Sequence, residues 1–451
     1  MFNYKKIGLY PKNKGGLTMR KIGTILVCLI LLIVLLSGWS LFKKKGSKGA
    51  EITIWDFKYD EVGNVQDAMK KIDDLIMQQN PGIKINHVAQ PKNNYYNILK
   101  AAVQAGEGPD VVMFHAGVQA YEFDEFTADL DKYIRSWKSE ISNYSWDFCS
   151  EGGDGKKPVH LVPLTVQGFG IYYNKAYFKK AGLDPEKAPS DYASFIDACE
   201  KLKKAGITPI TTGLQQNPYS LDFLMRTFVA NIYGNDVKGL VTGKENFEGN
   251  AAFSKAVDIV KELFDKGYID AKADTSVPYF VDAINNYKAG KGAMFIGLLS
   301  DIGHWKDFCD ALGKDNVGYF PTISFPEAKN KDLQVLQPCG IGYAIMDWSK
   351  NKDAAAKVIE GYARGEGNAI WMGMTGALSP NKKLDINKLG YPLVAQILKQ
   401  NFATDFNTLL TNEDANTNIE RYLTQYFVSK EITKEKFIAS FQKTLENAKN
   451  K

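Results

Sequence analysis

The longest hydrophobic run lies near the start of the chain, where Ile22 to Phe42 passes 21 residues without a charge, dominated by Leu, Ile and Val. As a helix this run spans about 30 Å of hydrocarbon, so a signal or transmembrane segment is predicted there. Beyond a Lys/Gly/Ser linker at 43–50 the pattern changes to short alternating units. Glu51 to Phe57 sets Ile52 and Ile54 between polar neighbours, the period of a strand. Val65, Ala68, Met69, Ile72, Leu75 and Ile76 then recur at helical spacing until Asn80-Pro81-Gly82 stops them, and Ile83 and Ile85 resume a strand. A helix over Tyr95 to Ala105 ends at Gly106-Glu107-Gly108-Pro109 and leads into Val111-Val112-Met113-Phe114, an apolar run suited to a central parallel strand.

The second half repeats this grammar. Ser190 reads as an N-cap, Phe195, Ile196, Cys199 and Leu202 form an apolar stripe, Lys203-Lys204 end the helix, and Gly206 follows. Helices of the same kind fit Ala251 to Lys266, Tyr279 to Ala289, Ala354 to Ala363 and, capped by Thr433, Glu435 to Ala448. Alternating strands and helices predict α/β architecture with mainly parallel sheets.

Charge changes the picture at the N-terminus. Residues 1–50 hold ten of the 56 Lys and Arg and no acid, leaving 46 bases against 51 acids in the folded part. A net acidic domain argues against a nucleic-acid partner, which demands a cationic face. Arg20-Lys21 before the apolar run and Lys43-Lys44-Lys45 after it give the pattern of an export signal. Residues 1–21 are then a basic leading region, with Met19, preceded by Lys14-Gly15-Gly16, as an alternative start. Trp39 stands where a lipoprotein signal places cysteine, so a retained anchor and cleavage after Ser40 are the two fates open to the segment.

The five cysteines lie at least 30 residues apart, too far for a zinc-binding spacing, and are expected mainly as buried free thiols. No GxGxxG, GxxxxGK[ST], HExxH or GxSxG occurs, so the common phosphate, zinc and serine-nucleophile signatures are missing and no cofactor is expected. A glycosidase would need only two well-placed carboxylates, so a secreted glycoside-active enzyme stays as an alternative.

Several stretches, in order, resemble the extracellular solute-binding proteins of ABC importers, the maltodextrin-binding class in particular. They are Gly106-Glu107-Gly108-Pro109-Asp110-Val111-Val112, Val162-Pro163-Leu164 with Ile171-Tyr172-Tyr173-Asn174-Lys175, Gly182-Leu183, Lys288-Ala289-Gly290-Lys291-Gly292-Ala293-Met294, and Gly318-Tyr319-Phe320-Pro321. The chain departs from the family where Ser190-Asp191-Tyr192 replaces a Thr-Trp pair and where Gly297-Leu298-Leu299-Ser300 replaces a sugar-stacking tryptophan. The resemblance implies a two-lobed fold, with residues 51–164 and 322–372 in lobe I and 165–321 and 373–451 in lobe II. Crossings would fall near Leu164 to Val166, Pro321 to Ile323 and Met372 to Gly376.

It further implies a monomer that captures a sugar between the lobes and delivers it to an ABC permease outside the cytoplasm. A membrane-tethered sensor that signals to a partner kinase is the alternative. A sugar site wants aromatic platforms beside polar groups at strand ends. Trp55, Asp56, Phe57 and Lys58 end the first strand, and Phe114 and His115 end the third. Asp56 and Lys58 could equally form a surface ion pair. Matched to the family pattern, Gln167 falls at a polar ligand contact, and Asn217 and Tyr219 in a loop that carries a stacking tyrosine. Trp371, before the last crossing, is a further platform candidate.

Overall fold

Burial follows these periodicities in the computed structural model. It describes residues 49–449 apart from 61–63, 151–155, 216–220, 222–223, 226–227, 229–244, 271–274, 300–303, 321–322, 327–332, 338, 398–400 and 404–412. Strand β1 (Ala50–Asp56) buries Ile52, Ile54 and Asp56 on one face, as a period of two requires. Helix α1 (Val65–Gln79) buries Val65, Ala68, Met69, Ile72 and Ile76, strand β2 (Ile83–Ala89) follows, and helix α2 (Tyr95–Ala105) stops at Gly106. Gly106 takes a left-handed φ of 69°, which a side chain resists. Strand β3 (Val111–His115) comes next.

After the short strand β4 (Val162–Pro163) the chain enters a second layer with β5 (Gln167–Asn174). Helix α3 (Tyr192–Lys204) is capped by Asp191 rather than Ser190. Asp191 accepts the Ser194 N–H at 2.8 Å while the Ser194 hydroxyl accepts the Asp191 N–H at 3.2 Å, a reciprocal box that Ser190 is one residue too early to make. Then come β6 (Ile210–Thr211), α4 (Ala251–Asp265), β7 (Met294–Leu299), α5 (His304–Leu312), β8 (Val317–Phe320), β9 (Leu333–Gln337), β10 (Ile341–Ile345), α6 (Lys352–Ala363), α7 (Gly365–Thr375), β11 (Asn401–Ala403) and α8 (Lys434–Lys449). The segment expected as one helix over 279–289 is a π-helical turn, Tyr279–Ala283, followed by a short α-helix, Ile284–Lys288.

One sheet has the order β2-β1-β3-β10-β4, and the other β11-β9-β5-β7-β6 with β8 also on β5. The sheets are mixed, not mainly parallel. β1 pairs in parallel with β2 and β3, but β10 runs antiparallel to β3 and β4, and β5 runs antiparallel to β7, β8 and β9. A strand that arrives from the other layer needs no helical crossover, so nothing forces it to run parallel.

Each sheet has its own hydrophobic core. Leu164 belongs to the first core and Val166 packs on the second, while Trp371 and Ala377 belong to the first and Met372 and Leu378 to the second. The return crossing expected near Pro321 to Ile323 lies later. Ile323 and Phe325 are in the second core and β9 pairs with β5, whereas Cys339 and Ile341 are in the first core. The chain therefore crosses around Gly340, and the described residues 323–326 and 333–337 do not belong with lobe I. Cys149, Cys199, Cys309 and Cys339 are free and buried. Among the described residues no helix is long and apolar enough to cross a membrane; the predicted segment at 22–42 lies outside them.

Candidate functional site

The alternation that buries Ile52 and Ile54 also buries Asp56. Its Oδ1 accepts the backbone N–H of Lys58 at 2.5 Å, and its Oδ2 accepts the Tyr343 hydroxyl at 2.5 Å and Nε2–H of His87 at 3.3 Å. The other ring nitrogen of His87 donates to Asp73 at 2.9 Å, and the Tyr362 hydroxyl donates to Asp73 at 2.6 Å. Tyr59 stacks on the imidazole with centroids 4.2 Å apart. Burial alone would lower the His87 pKa, but the hydrogen bonds and charges of Asp56 and Asp73 outweigh it and raise the pKa to about 9. An imidazolium therefore bridges two buried carboxylates, and β1, β2, α1, α6 and β10 all contribute to its surroundings. Asp56 is a structural carboxylate in this arrangement, neither a cleft-facing ligand group nor the partner of the Lys58 ammonium. Lys58 is itself buried, with Nζ 5.7 Å from the Phe57 ring centroid.

Above this network the strand ends carry an aromatic cluster. Phe57 stacks on His115 at 4.4 Å with 23° between planes and meets Tyr95 edge-on at 5.1 Å. The Tyr96 hydroxyl accepts the His115 N–H at 3.1 Å and lies 2.9 Å from its Nδ1. Trp55 is half-buried at the edge of the first core, and its carbonyl accepts the Tyr95 hydroxyl at 3.3 Å. Phe114 points the other way along β3. It is buried against Phe123, centroids 5.2 Å apart, and is a core residue, not a platform. Trp371 is likewise in the first core, 3% exposed, so the face it would offer a sugar is already covered.

Gln167 begins β5 and pairs in register with Gln337. The crossing residue Gly340 joins it to the first layer. The Gly340 carbonyl accepts the Ala116 N–H at 3.0 Å, and its N–H donates to the Thr165 carbonyl at 2.8 Å. A Cβ on Gly340 would lie 2.9 Å from Cβ of Gln167. His115 and Gln167 thus flank one crossing, each half-buried, one from each layer. Asn217 and Tyr219 lie outside the described residues. Sequence reasoning missed Tyr96, His87 and Gly340. Tyr95-Tyr96 at the start of a helical stripe was the available signal for the first, while the other two depend on strands brought together from afar.

A stacked imidazole, half-buried aromatic surface and a primary amide at strand ends suit a hydroxylated ligand with apolar faces. Among the described residues no group of three or more His, Cys, Asp or Glu is arranged to hold a metal ion.

The chain is similar to known proteins in sequence and in fold. The chain is 30% identical over 220 residues to the multiple sugar-binding protein of Streptococcus mutans, covering 48% of this chain and 46% of that protein. That match spans less than half the length of the relative. It is 29% identical over 363 residues to the sn-glycerol-3-phosphate-binding periplasmic protein of Shigella dysenteriae, covering 73% and 74%. A solved chitin oligosaccharide binding protein shares the fold, with a TM-score of 0.76 at 20% identity over 90% of this chain and 100% of that one. The family model for bacterial extracellular solute-binding proteins matches residues 63–368, more than half of the chain, and the protein belongs to that family.

Proposed function

We propose that the protein is an extracytoplasmic receptor that binds a carbohydrate between its two layers and presents it to the permease of an ABC importer. The observation that carries this reading is the crossing at Gly340, whose carbonyl accepts the N–H of Ala116, the residue after His115, and which packs against Gln167, so that the end of β3 and the start of β5 adjoin one crossing. Ligand that touches both sides favours the closed arrangement, and a permease that reads closure can tell loaded from empty receptor. His115, Gln167 and Trp55 are the contacts proposed here, with Tyr219 and Asn217 as further candidates outside the described residues; Phe57, 3% exposed, backs the His115 ring from the core. The relatives bear names of binding proteins, which supports a receptor without catalysis or cofactor. The apolar run at 22–42 supports export, with the receptor either held at the outer membrane face by that segment or released by cleavage after Ser40.

Titration calorimetry against chitobiose, xylobiose, maltose, stachyose and sn-glycerol-3-phosphate tests the reading. At least one saccharide should bind, and His115→Ala and Gln167→Ala should each weaken it. Failure of every saccharide to bind removes the carbohydrate assignment, and binding of the phosphate alone replaces it with a polyol phosphate.

A further inference from the structure

The short helix Asn143–Phe148 ends where the Phe148 carbonyl accepts the Tyr121 hydroxyl at 2.7 Å. Ala116, in the same stretch after β3, donates its N–H to the Gly340 carbonyl at 3.0 Å. Residues 116–121 thus hold two backbone positions that are far apart in the sequence. A cysteine adjoins each of them, Cys149 after Phe148 and Cys339 before Gly340. Both side chains are buried in the first core, and the Cys149 thiol is hydrogen-bonded to that of Cys339. Cys199 and Cys309 are in the second core. Burial, and then the neighbouring sulfur, push the Cys149 thiol well above its ordinary range, so once folded it holds little thiolate.

We infer that Cys149 and Cys339 are a disulfide pair, joined while the exported chain folds, and that the bond stabilises the fold. The family is extracellular, and thiols brought together outside the cytoplasm meet oxidants that the cytoplasm lacks. The oxidant class is a thiol–disulfide oxidoreductase in its disulfide form. One cysteine thiolate attacks a sulfur of that disulfide and expels the other sulfur as a thiolate. The second cysteine thiolate then attacks the mixed disulfide at the sulfur of this chain, forms the Cys149–Cys339 bond and expels the remaining thiolate of the oxidoreductase. The two protons shed by the cysteines end on the two thiolates released, and the oxidoreductase leaves reduced by two electrons. Only thiolates exchange, so the reaction belongs to the stage before the core closes over the sulfurs, and the same burial then shields the bond from reductants. The chain between the two cysteines carries β5 to β9, so the bond fastens both ends of the passage through the second layer inside the first. A loop of that length is the kind whose closure constrains an unfolded chain most.

Full-length protein exported by a bacterial host and collected outside the cytoplasm is denatured, alkylated without reductant, digested and read by mass spectrometry. The expected result is one linked peptide pair, Cys149 with Cys339, and alkyl groups on Cys199 and Cys309. Alkyl groups on Cys149 and Cys339 overturn the inference, and so does a link from either one to another cysteine. Reduction of the exported protein, and Cys149→Ser or Cys339→Ser in turn, should each lower the melting temperature by about 5 °C, whereas Cys199→Ser should not respond differently to reductant from wild type. Equal melting of the oxidised and reduced wild type overturns the stabilising role. Peptide mapping of the wild type decides the pairing even where a variant fails to fold.

Discussion

The hydroxyl of Thr165 accepts the backbone N–H of Ile341 at 3.2 Å, which fastens the outgoing crossing to the returning one. The Thr165 carbonyl accepts from Gly340 at 2.8 Å, and the next residue, Val166, donates to Leu378 at 2.8 Å. All three crossings are therefore held at Thr165 and Val166. Thr165→Val keeps the shape and removes the acceptor, leaving a buried N–H unpaired, which costs about 1–3 kcal/mol. A lower urea midpoint in Thr165→Val, restored in Thr165→Ser, is expected; equal midpoints for all three proteins would mean that the hydroxyl contributes nothing.

His87 gives stability a pH dependence. Its folded pKa of about 9 lies above the ordinary 6.5, so the folded state holds the proton more tightly than the unfolded state. The stabilisation, on the order of 3 kcal/mol, is fully present below pH 6.5 and fades as pH rises through 9. Thermal midpoints measured from pH 6 to 10 should fall over that interval in the wild type and stay flatter in His87→Gln. Parallel curves for the two proteins would exclude His87 as the source.

Asp56 is expected to act on folding before it acts on ligand. Asp56→Ala removes one carboxylate from the His87 imidazolium and leaves the Tyr343 hydroxyl without its 2.5 Å acceptor. Loss of one partner of a buried ionic network costs about 3–5 kcal/mol. Chemical denaturation measures it. A variant of wild-type stability that no longer binds saccharide would return Asp56 to the ligand.

Gly340 has no room for a side chain. An added Cβ would sit 2.9 Å from both Cβ of Gln167 and Oγ1 of Thr165. Gly340→Ala should destabilise by about 1–3 kcal/mol and weaken saccharide binding, since relief of the clash moves Gln167. Calorimetry and denaturation on the same preparation check it, and an unaltered affinity would separate the crossing from the site.

Local order was legible where a periodic pattern decided it. Val65 to Ile76 and Tyr95 to Ala105 bury the faces their spacing prescribes, because packing and propensity agree there. Asp56 shows where residue chemistry misled. A polar group at a strand end suggested a ligand, yet the alternation with Ile52 and Ile54 already placed it inside. Phe114, buried one residue before half-exposed His115, repeats that lesson. The partners Asp73 and Tyr343 lie in α1 and β10, and no spacing in the chain announces that they meet at His87 and Asp56. The return crossing implied by the resemblance near Pro321 falls earlier than the one around Gly340, because the pairing of β9 with β5 is visible only in three dimensions.

The position of Gly340 has a mechanical consequence. A rotation of one layer against the other about this crossing displaces each atom in proportion to its distance from it. His115 and Gln167 lie next to the pivot and hardly part, while the outer rims of the layers sweep through the full stroke. Ligand at the contacts proposed beside this pivot would bridge both layers with little relative movement there, while the same rotation displaces the rims most.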